Sequence, residues 1–225
     1  MEEAGSSMDN VVEALLLVTN LENYPRMRKT ELEYFQKYAP FLAENPPAST
    51  FVQIPSLAKP GFLVEIDVIG VISRDKPGWE VKQYPMYYDG VKLAYPNIEP
   101  GEPFFSRSAV VGNLIFLSGM AGRPLKGGDV PLATFEEQMT VALDKVRLGM
   151  EGAGSSLNNL IKACILLTDM KNYSSMRRIE LEYYQKYAQR MIENPPASTV
   201  MQVTSLARPE FLVEIDAMAV LSGDK

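Results

Sequence analysis

Residues 1–76 of this chain lie on residues 150–225 without a gap, Met1 on Met150 and Lys76 on Lys225. More than half of the paired positions are identical, including the whole runs Glu44–Thr50 against Glu193–Thr199 and Phe62–Asp67 against Phe211–Asp216. Two long copies imply a duplicated module, because a solenoid needs at least three short repeats to bury a continuous core. The repeat also exposes an imbalance. Residues 77–149 lead into the second copy, and the first copy, read from Met1, has no equivalent of them.

The chain's 225 residues with 46% hydrophobic content suffice for a good core in one or two domains. No apolar run approaches the roughly 20 residues that span a bilayer. The first residues, Met1 to Ser7, are acidic and polar where a signal peptide needs a basic start and an apolar stretch. Cys164 is the single cysteine and has no internal partner, so a reducing cytoplasmic location is expected. Histidine is absent. That removes Ser-His-Asp and Cys-His catalysis, and neither zinc nor a redox metal nor any other cofactor is expected. The net charge is −6, with Lys and Arg interspersed among Glu and Asp. No basic patch is legible, so nucleic acid is not an expected partner.

The repeat unit reads strand, helix, strand, strand. Val11 to Thr19, matched by Leu160 to Thr168, is a continuous apolar run that suits a strand buried on both faces. A helix is predicted from about Arg26 to Phe41, stopped by Asn45-Pro46-Pro47. Strands over Ser49–Ile54 and Phe62–Ile72 follow, around a turn signal at residues 56–61. Ahead of the second copy, Ala109 to Ser118 reads as a hairpin turning at Gly112-Asn113. Thr134 and Glu137 form a capping box, after which Phe135, Met139, Leu143, Val146 and Met150 recur at helical spacing. Gly127-Gly128 lacks any phosphate-loop or dinucleotide context and is discarded as a motif.

A complete module is therefore an α+β sandwich with helices on one sheet face. The expected division is a partial module over 1–76, a linker over 77–100 and a complete module over 101–225. The partial module would leave one side of its sheet uncovered. Either the chain starts at an internal methionine of a longer protein, which is the preferred reading, or a partner covers that half.

Some polar residues fall outside the bland pattern. On a helical wheel Arg28 and Glu31 sit inside the apolar arc of Met27, Leu32, Tyr34, Phe35 and Tyr38, and Arg177 and Glu180 do the same among Met176, Tyr183, Tyr184 and Tyr187. An arginine facing a sheet must be paired. The pairs are either structural i,i+3 ion pairs or pocket walls whose guanidinium grips an anion. Glu65 with Asp67, and Glu214 with Asp216, alternate along a strand and share a face. They are either the wet face of an edge strand or an acid–base pair with pKa values pushed apart. The tyrosines read as core residues with a wet hydroxyl.

Taken in order, Val110–Gly119, Glu137-Gln138, Glu151–Ser156, Leu167–Met170, Asn194–Thr199 and Leu212–Ala217 resemble the Rid (RidA/YjgF-like) family in order and spacing. The resemblance spans about Phe104 to Leu221 and again residues 4–72. It implies a chorismate-mutase-like α+β fold, a trimer or tandem pseudo-trimer with clefts between neighbouring modules, and hydrolysis of enamines and imines to keto acids and ammonia. It further implies that Glu214 and Glu65 match a strand glutamate that helps place water. Gly119, after Ser118, matches the glycine whose backbone approaches the ligand, and Phe105 stands where a tyrosine is usual. Ala197, before Ser198 and Thr199, and Ala48 in the first copy stand where the family's carboxylate-binding arginine belongs. Losing it removes a charge-assisted bidentate contact, on the order of 2–5 kcal/mol if buried. Arg177 and Arg28 align with a cleft-facing helix position usually held by a neutral amide, and are expected to take over the anion.

Three functions follow from the resemblance. The first is a small-molecule enzyme deaminating an enamine or imine, with Glu214 on water and Arg177 on an anion. The second is a catalytically silent module binding a metabolite or partner protein. The third is the family's endoribonuclease activity, against which the acidic balance and missing histidine argue.

Overall fold

The computed structural model describes residues 1–72, 77–88, 91–92, 104–124 and 132–222. The start of the expected complete module at Gly101, residues 93–100 of the linker, and Gly127-Gly128 lie outside the described residues.

Strand and helix recur at the spacing of the repeat. The first copy gives β1 (Val11–Val18), α1 (Tyr24–Tyr38), α2 (Pro40–Glu44), β2 (Ala48–Gln53) and β3 (Val64–Gly70). Three short strands follow, β4 (Lys82–Pro85), β5 (Tyr87–Tyr88) and β6 (Val91–Lys92), then the hairpin β7 (Ser106–Val111) and β8 (Leu114–Ala121) and the long helix α3 (Phe135–Gly152). The second copy completes the chain with β9 (Leu160–Leu167), α4 (Tyr173–Tyr187), α5 (Arg190–Glu193), β10 (Ala197–Gln202), β11 (Ser205–Leu206) and β12 (Val213–Val220). Even the register repeats. Glu13 pairs with Ala48 between the parallel strands β1 and β2, and Lys162 pairs with Ala197 between β9 and β10.

Among the described residues these strands, β5 and β6 apart, make one mixed sheet in the order β10-β9-β12-β8-β7-β2-β1-β3, with β11 on β2 and β4 on β7. This is the α+β arrangement, a mixed sheet with helices, that the resemblance implies. The two copies join through the parallel β2–β7 bridge at Ala48 and Ser106, and through β11 of the second copy pairing β2 of the first. Residues 82–85, read as linker, instead pair antiparallel with β7, because that strand's other edge touches β2 only at its start.

The capping box forms as expected. Thr134 Oγ1 accepts from the Glu137 amide at 3.2 Å, and the Glu137 carboxylate accepts from the Thr134 amide at 3.1 Å. The apolar stripe of α3 is buried against β8, β12 and α4. Each such side chain contributes about 1.5–3 kcal/mol, an upper estimate. Gly112 takes φ 57 at the hairpin turn, a conformation that favours glycine.

Three expectations need correction. The single helix over Arg26–Phe41 is two, broken at Ala39 with φ −146 and ψ 64. Pro40 is not required for the break, since Ala188 adopts φ −152 and ψ 62 before Gln189. In both copies the bend turns an apolar residue, Leu42 or Met191, into the core. Second, the strands starting each copy are not buried on both faces throughout: Ile161 and Lys162 of β9 are exposed. Third, the tyrosines divide. Tyr183 and Tyr184 are buried, whereas Tyr34, Tyr38 and Tyr187 are exposed.

The tyrosine split has a cause in packing. Helix α4 buries Met176, Ile179, Glu180, Tyr183 and Tyr184. Helix α1, nearly the same sequence, buries Arg28, Leu32 and Phe35 instead. α4 lies against α3, while the opposite flank of α1 lies against Phe104, whose ring centroid is 6.0 Å from that of Phe35.

Candidate functional site

The two copies enclose a cleft of about 390 Å³ at their junction. The first copy supplies Tyr24 and Arg28 from the start of α1, and Ser49 and Phe51 from β2. The second copy and the segment leading into it supply Phe105, Gly119, Lys145 and Glu214, with Arg123 and Arg208 at the wall. The seam beneath it is stitched by hydrogen bonds. The Ser49 amide donates to Ser118 Oγ at 2.7 Å, and Ser118 Oγ donates to the Ser106 carbonyl at 2.5 Å. Thr50 Oγ1 donates to Asp216 Oδ2 at 2.6 Å.

Glu214 is the one acidic residue among the described residues lining the cleft. It lies on β12, an interior strand flanked by β9 and β8. Its carboxyl sits over Gly119, where a Cβ would overlap it, so only glycine leaves the acid its place. The Phe51 amide of the other copy hydrogen-bonds it. The carboxyl is pushed up to about 8, first by burial and then by the charge of Asp216; Lys145 and Arg28 pull the other way. Lys145 reaches in from α3, donating from Nζ to the Ala121 carbonyl at 2.8 Å. Burial pulls its amine down to about 8, with Arg123 adding to the fall and Glu214 opposing it. An acid raised to about 8 and an amine lowered to about 8 can each give and take protons near that pH.

Arg28 is 2% exposed and donates to Glu31 at 2.6 Å, to Ser49 Oγ at 3.3 Å and to the Phe104 carbonyl at 3.4 Å. Burial works against its charge, and Glu31 and Tyr24 together more than offset burial, so the guanidinium stays protonated. It makes the i,i+3 ion pair and also lines the cleft. A second acidic cluster lies along the seam. Burial first, then Asp216, pushes Glu13 up to about 8, and Asp216 is itself raised by burial.

The expected site residues separate. Glu214, Gly119, Phe105 and Arg28 come together in the cleft. Arg177 does not join Glu214. It repeats the 2.6 Å bond to Glu180 and a 3.4 Å bond to Ser198 Oγ on an open flank, at 37% side-chain exposure. Ala197, Ser198 and Thr199 lie exposed on β10, which ends the sheet, whereas Ala48, Ser49 and Thr50 of the first copy are buried at the seam. Ser118 is buried with its hydroxyl committed to the Ser49 amide and the Ser106 carbonyl. Glu65 is exposed on β3, the other end of the sheet. The wet-edge reading thus describes Glu65 and Asp67, while their repeats Glu214 and Asp216 lie on an interior strand.

Sequence reading missed Lys145. The signal was present: it shares a helix face with Gln138, Ala142 and Gly149, all buried, so a charge stood on the apolar side of α3 as Arg28 does on α1. Among the described residues no cluster has the make-up of a metal site, and no helix is long and apolar enough to cross a membrane.

The family model described as Endoribonuclease L-PSP matches residues 1–72 and 98–221. A 2-iminobutanoate/2-iminopropanoate deaminase of Capra hircus is 31% identical over 117 residues, 52% of this chain and 79% of that protein. The RutC family protein PH0854 of Pyrococcus horikoshii is 29% identical over 115 residues, 51% of this chain and 85% of that protein. Among solved structures, a putative endoribonuclease of Thermotoga maritima has 27% identity and a TM-score of 0.47, covering 54% of this chain and 89% of its own. The YjgF gene product of E. coli has 25% identity and a TM-score of 0.46, covering 52% and 87%.

Proposed function

Since the chain belongs to the Rid family, the one whose model is described as Endoribonuclease L-PSP, we propose that the cleft between its two repeats hydrolyses an enamine or imine bearing an anionic group. The observation that carries this reading is Glu214, a carboxyl held near pH 8 over Gly119 and facing cationic residues of both repeats. Some relatives are named 2-iminobutanoate/2-iminopropanoate deaminases, which supports the reaction class.

The chemistry needs only protons and water. Protonated Glu214 gives its proton to an enamine carbon or imine nitrogen, producing an iminium ion. Water adds to the iminium carbon and loses a proton to the Glu214 carboxylate. The carbinolamine then expels ammonia and leaves a carbonyl: R₂C=NH + H₂O → R₂C=O + NH₃. Lys145 and Arg28 set a positive wall for the substrate's anion, in place of the arginine that Ala48 replaces. Because Arg28 sits in the cleft and Arg177 does not, the anion contact is assigned to Arg28.

Imines generated in situ from a panel of amino acids and simple amines test this. The chain should accelerate their decay, Glu214→Gln should lose about 100-fold or more, and Lys145→Gln should raise KM for anionic imines while sparing neutral ones. No acceleration of any imine by the folded chain would remove the proposal. One observation favours a second reading, metabolite binding without turnover: Arg28 is already neutralised by Glu31 at 2.6 Å. Retained binding of a keto acid with no turnover would select it.

A further inference from the structure

The cleft carries its positive charge in two places. Arg28 enters from α1 of the first copy and bonds Ser49 Oγ at 3.3 Å. Arg123 just past β8, Lys145 on α3 and Arg208 between β11 and β12 come from the second copy and the segment leading into it. The charges that act on Glu214 include both Lys145 and Arg28. Those that act on Lys145 are Arg123 and Glu214, with no contribution from Arg28. Two groups of cations therefore stand on opposite sides of one acid.

Lys145 differs from Arg28, Arg147 and Arg177 in how its charge is met. Arg28 and Arg177 each have a glutamate three residues on at 2.6 Å, and Arg147 has Glu151 four residues on at 2.9 Å. The positions three and four residues either side of Lys145 are Val141, Ala142, Leu148 and Gly149, none of which carries charge. Asp144, its neighbour in the chain, accepts from the Tyr183 hydroxyl at 2.6 Å on the α4 side. Among the described residues the Lys145 ammonium, with three N–H donors, donates to one acceptor, the Ala121 carbonyl. The acid whose charge reaches it, Glu214, is raised to about 8 and so is largely neutral at pH 7. A cation turned inward without a carboxylate costs stability. Such a cost is typical of a group that serves a ligand.

We propose, resting on the deaminase reading, that the cleft takes an imine or enamine with two anionic groups, one on each side of the reacting carbon. The first is held by Arg28 and Ser49, the second by Lys145 with Arg123 and Arg208, and the reacting carbon lies over Gly119 beside Glu214. The volume of about 390 Å³ is within the range of small-molecule sites. The reaction still balances as R₂C=NH + H₂O → R₂C=O + NH₃, each R group now ending in an anion, and Glu214 regains from water the proton it gives. A substrate with one anion leaves one cationic group without a counter-charge, which is the source of the preference.

The full chain is titrated calorimetrically with α-ketoglutarate and α-ketovalerate, product analogues that share a carbon skeleton and differ in the distal carboxylate. The expected result is tighter binding of α-ketoglutarate by about tenfold or more, falling to within about threefold in Lys145→Gln. Arg208→Gln, at a half-buried residue, should narrow the preference too, and serves where Lys145→Gln does not fold. Phosphohydroxypyruvate separates the two sources of a distal anion: tighter binding than α-ketoglutarate assigns a phosphate, weaker binding a carboxylate. Imines made in situ from glutamate and norvaline carry the comparison to turnover, where kcat/KM should show the same preference. Equal binding of the two keto acids by the native chain overturns the proposal even where imines are hydrolysed. A preference that survives both substitutions overturns it as well, because the distal group is then held elsewhere. A preference that depends on Lys145, without turnover of any imine, keeps the two-anion site and removes the deaminase reading instead.

Discussion

Arg28 and Arg177 occupy the same place in the repeat and make the same bond, 2.6 Å to a glutamate three residues on, so replacing each by alanine isolates the effect of burial. Arg28→Ala leaves Glu31, whose side chain is 14% exposed, without its partner. It also strips a donor from Ser49 Oγ and the Phe104 carbonyl inside the seam. Breaking a buried pair from one side costs about 3–5 kcal/mol, because the remaining charge stays desolvated. Arg177→Ala leaves Glu180, itself only 9% exposed, with the Tyr184 hydroxyl at 3.4 Å, but the arginine it loses is 37% exposed, so water can enter the vacated place. A pair with one partner open to water costs less to break than a fully buried one, about 1–3 kcal/mol. Urea unfolding measures both, the shift in midpoint giving the difference provided the slope is unchanged. A gap of more than about 1 kcal/mol between the variants is expected. The double change Arg28→Met with Glu31→Leu should recover much of the loss, since apolar replacement of a buried pair is often nearly neutral. Two single variants agreeing within about 1 kcal/mol would refute the argument that burial in the seam sets the value of this ion pair.

Acidity offers a further check. Glu214 and Glu13 are both raised to about 8 in the folded chain, against a carboxylate value near 4.5. The folded state therefore holds more protons than the unfolded one between those values. Their contribution to stability is full below pH ~4.5 and is lost as pH rises through 8, with a slope of at most about 1.4 kcal/mol per pH unit per group. Urea midpoints at several pH values should flatten in Glu214→Gln and Glu13→Gln; an unchanged slope in both counts against the raised values. Gly119→Ala should displace the Glu214 carboxyl and reduce imine turnover far more than it reduces stability, an overpacking cost of about 1–3 kcal/mol; kinetics and urea unfolding of one preparation decide this. Leu32→Ala should cost about 2–5 kcal/mol and Leu181→Ala well under 1, because Leu32 is buried and Leu181 is 50% exposed; equal midpoints for the two would contradict the packing described for α1.

Local chemistry made much of this protein legible before any coordinates. Helix spacing located the stripe of α3, the capping box fixed its start, glycine placed the β7–β8 turn, and the repeat carried the strand–helix–strand–strand order into both copies. The same repeat is why the site could not be read in full. Arg28 and Arg177, Glu65 and Glu214, Ser49 and Ser198 are identical in type and in local setting, so no property of the sequence around them says which member of each pair is buried in the cleft or at the seam. Neighbours from distant chain decide it. Phe104 and the seam draw α1 inward on its Arg28–Leu32 flank, while α3 draws α4 inward on its Met176–Tyr183 flank, so one helical sequence buries two different faces. β12, enclosed between β9 and β8 with β2 of the other repeat reaching it, acquires a buried acid at Glu214; β3, at the end of the sheet, leaves Glu65 in water. Backbone geometry follows from short-range preferences that the sequence carries with it, whereas burial and proton affinity depend on what else is brought within a few ångströms, and only the tertiary structure supplies that.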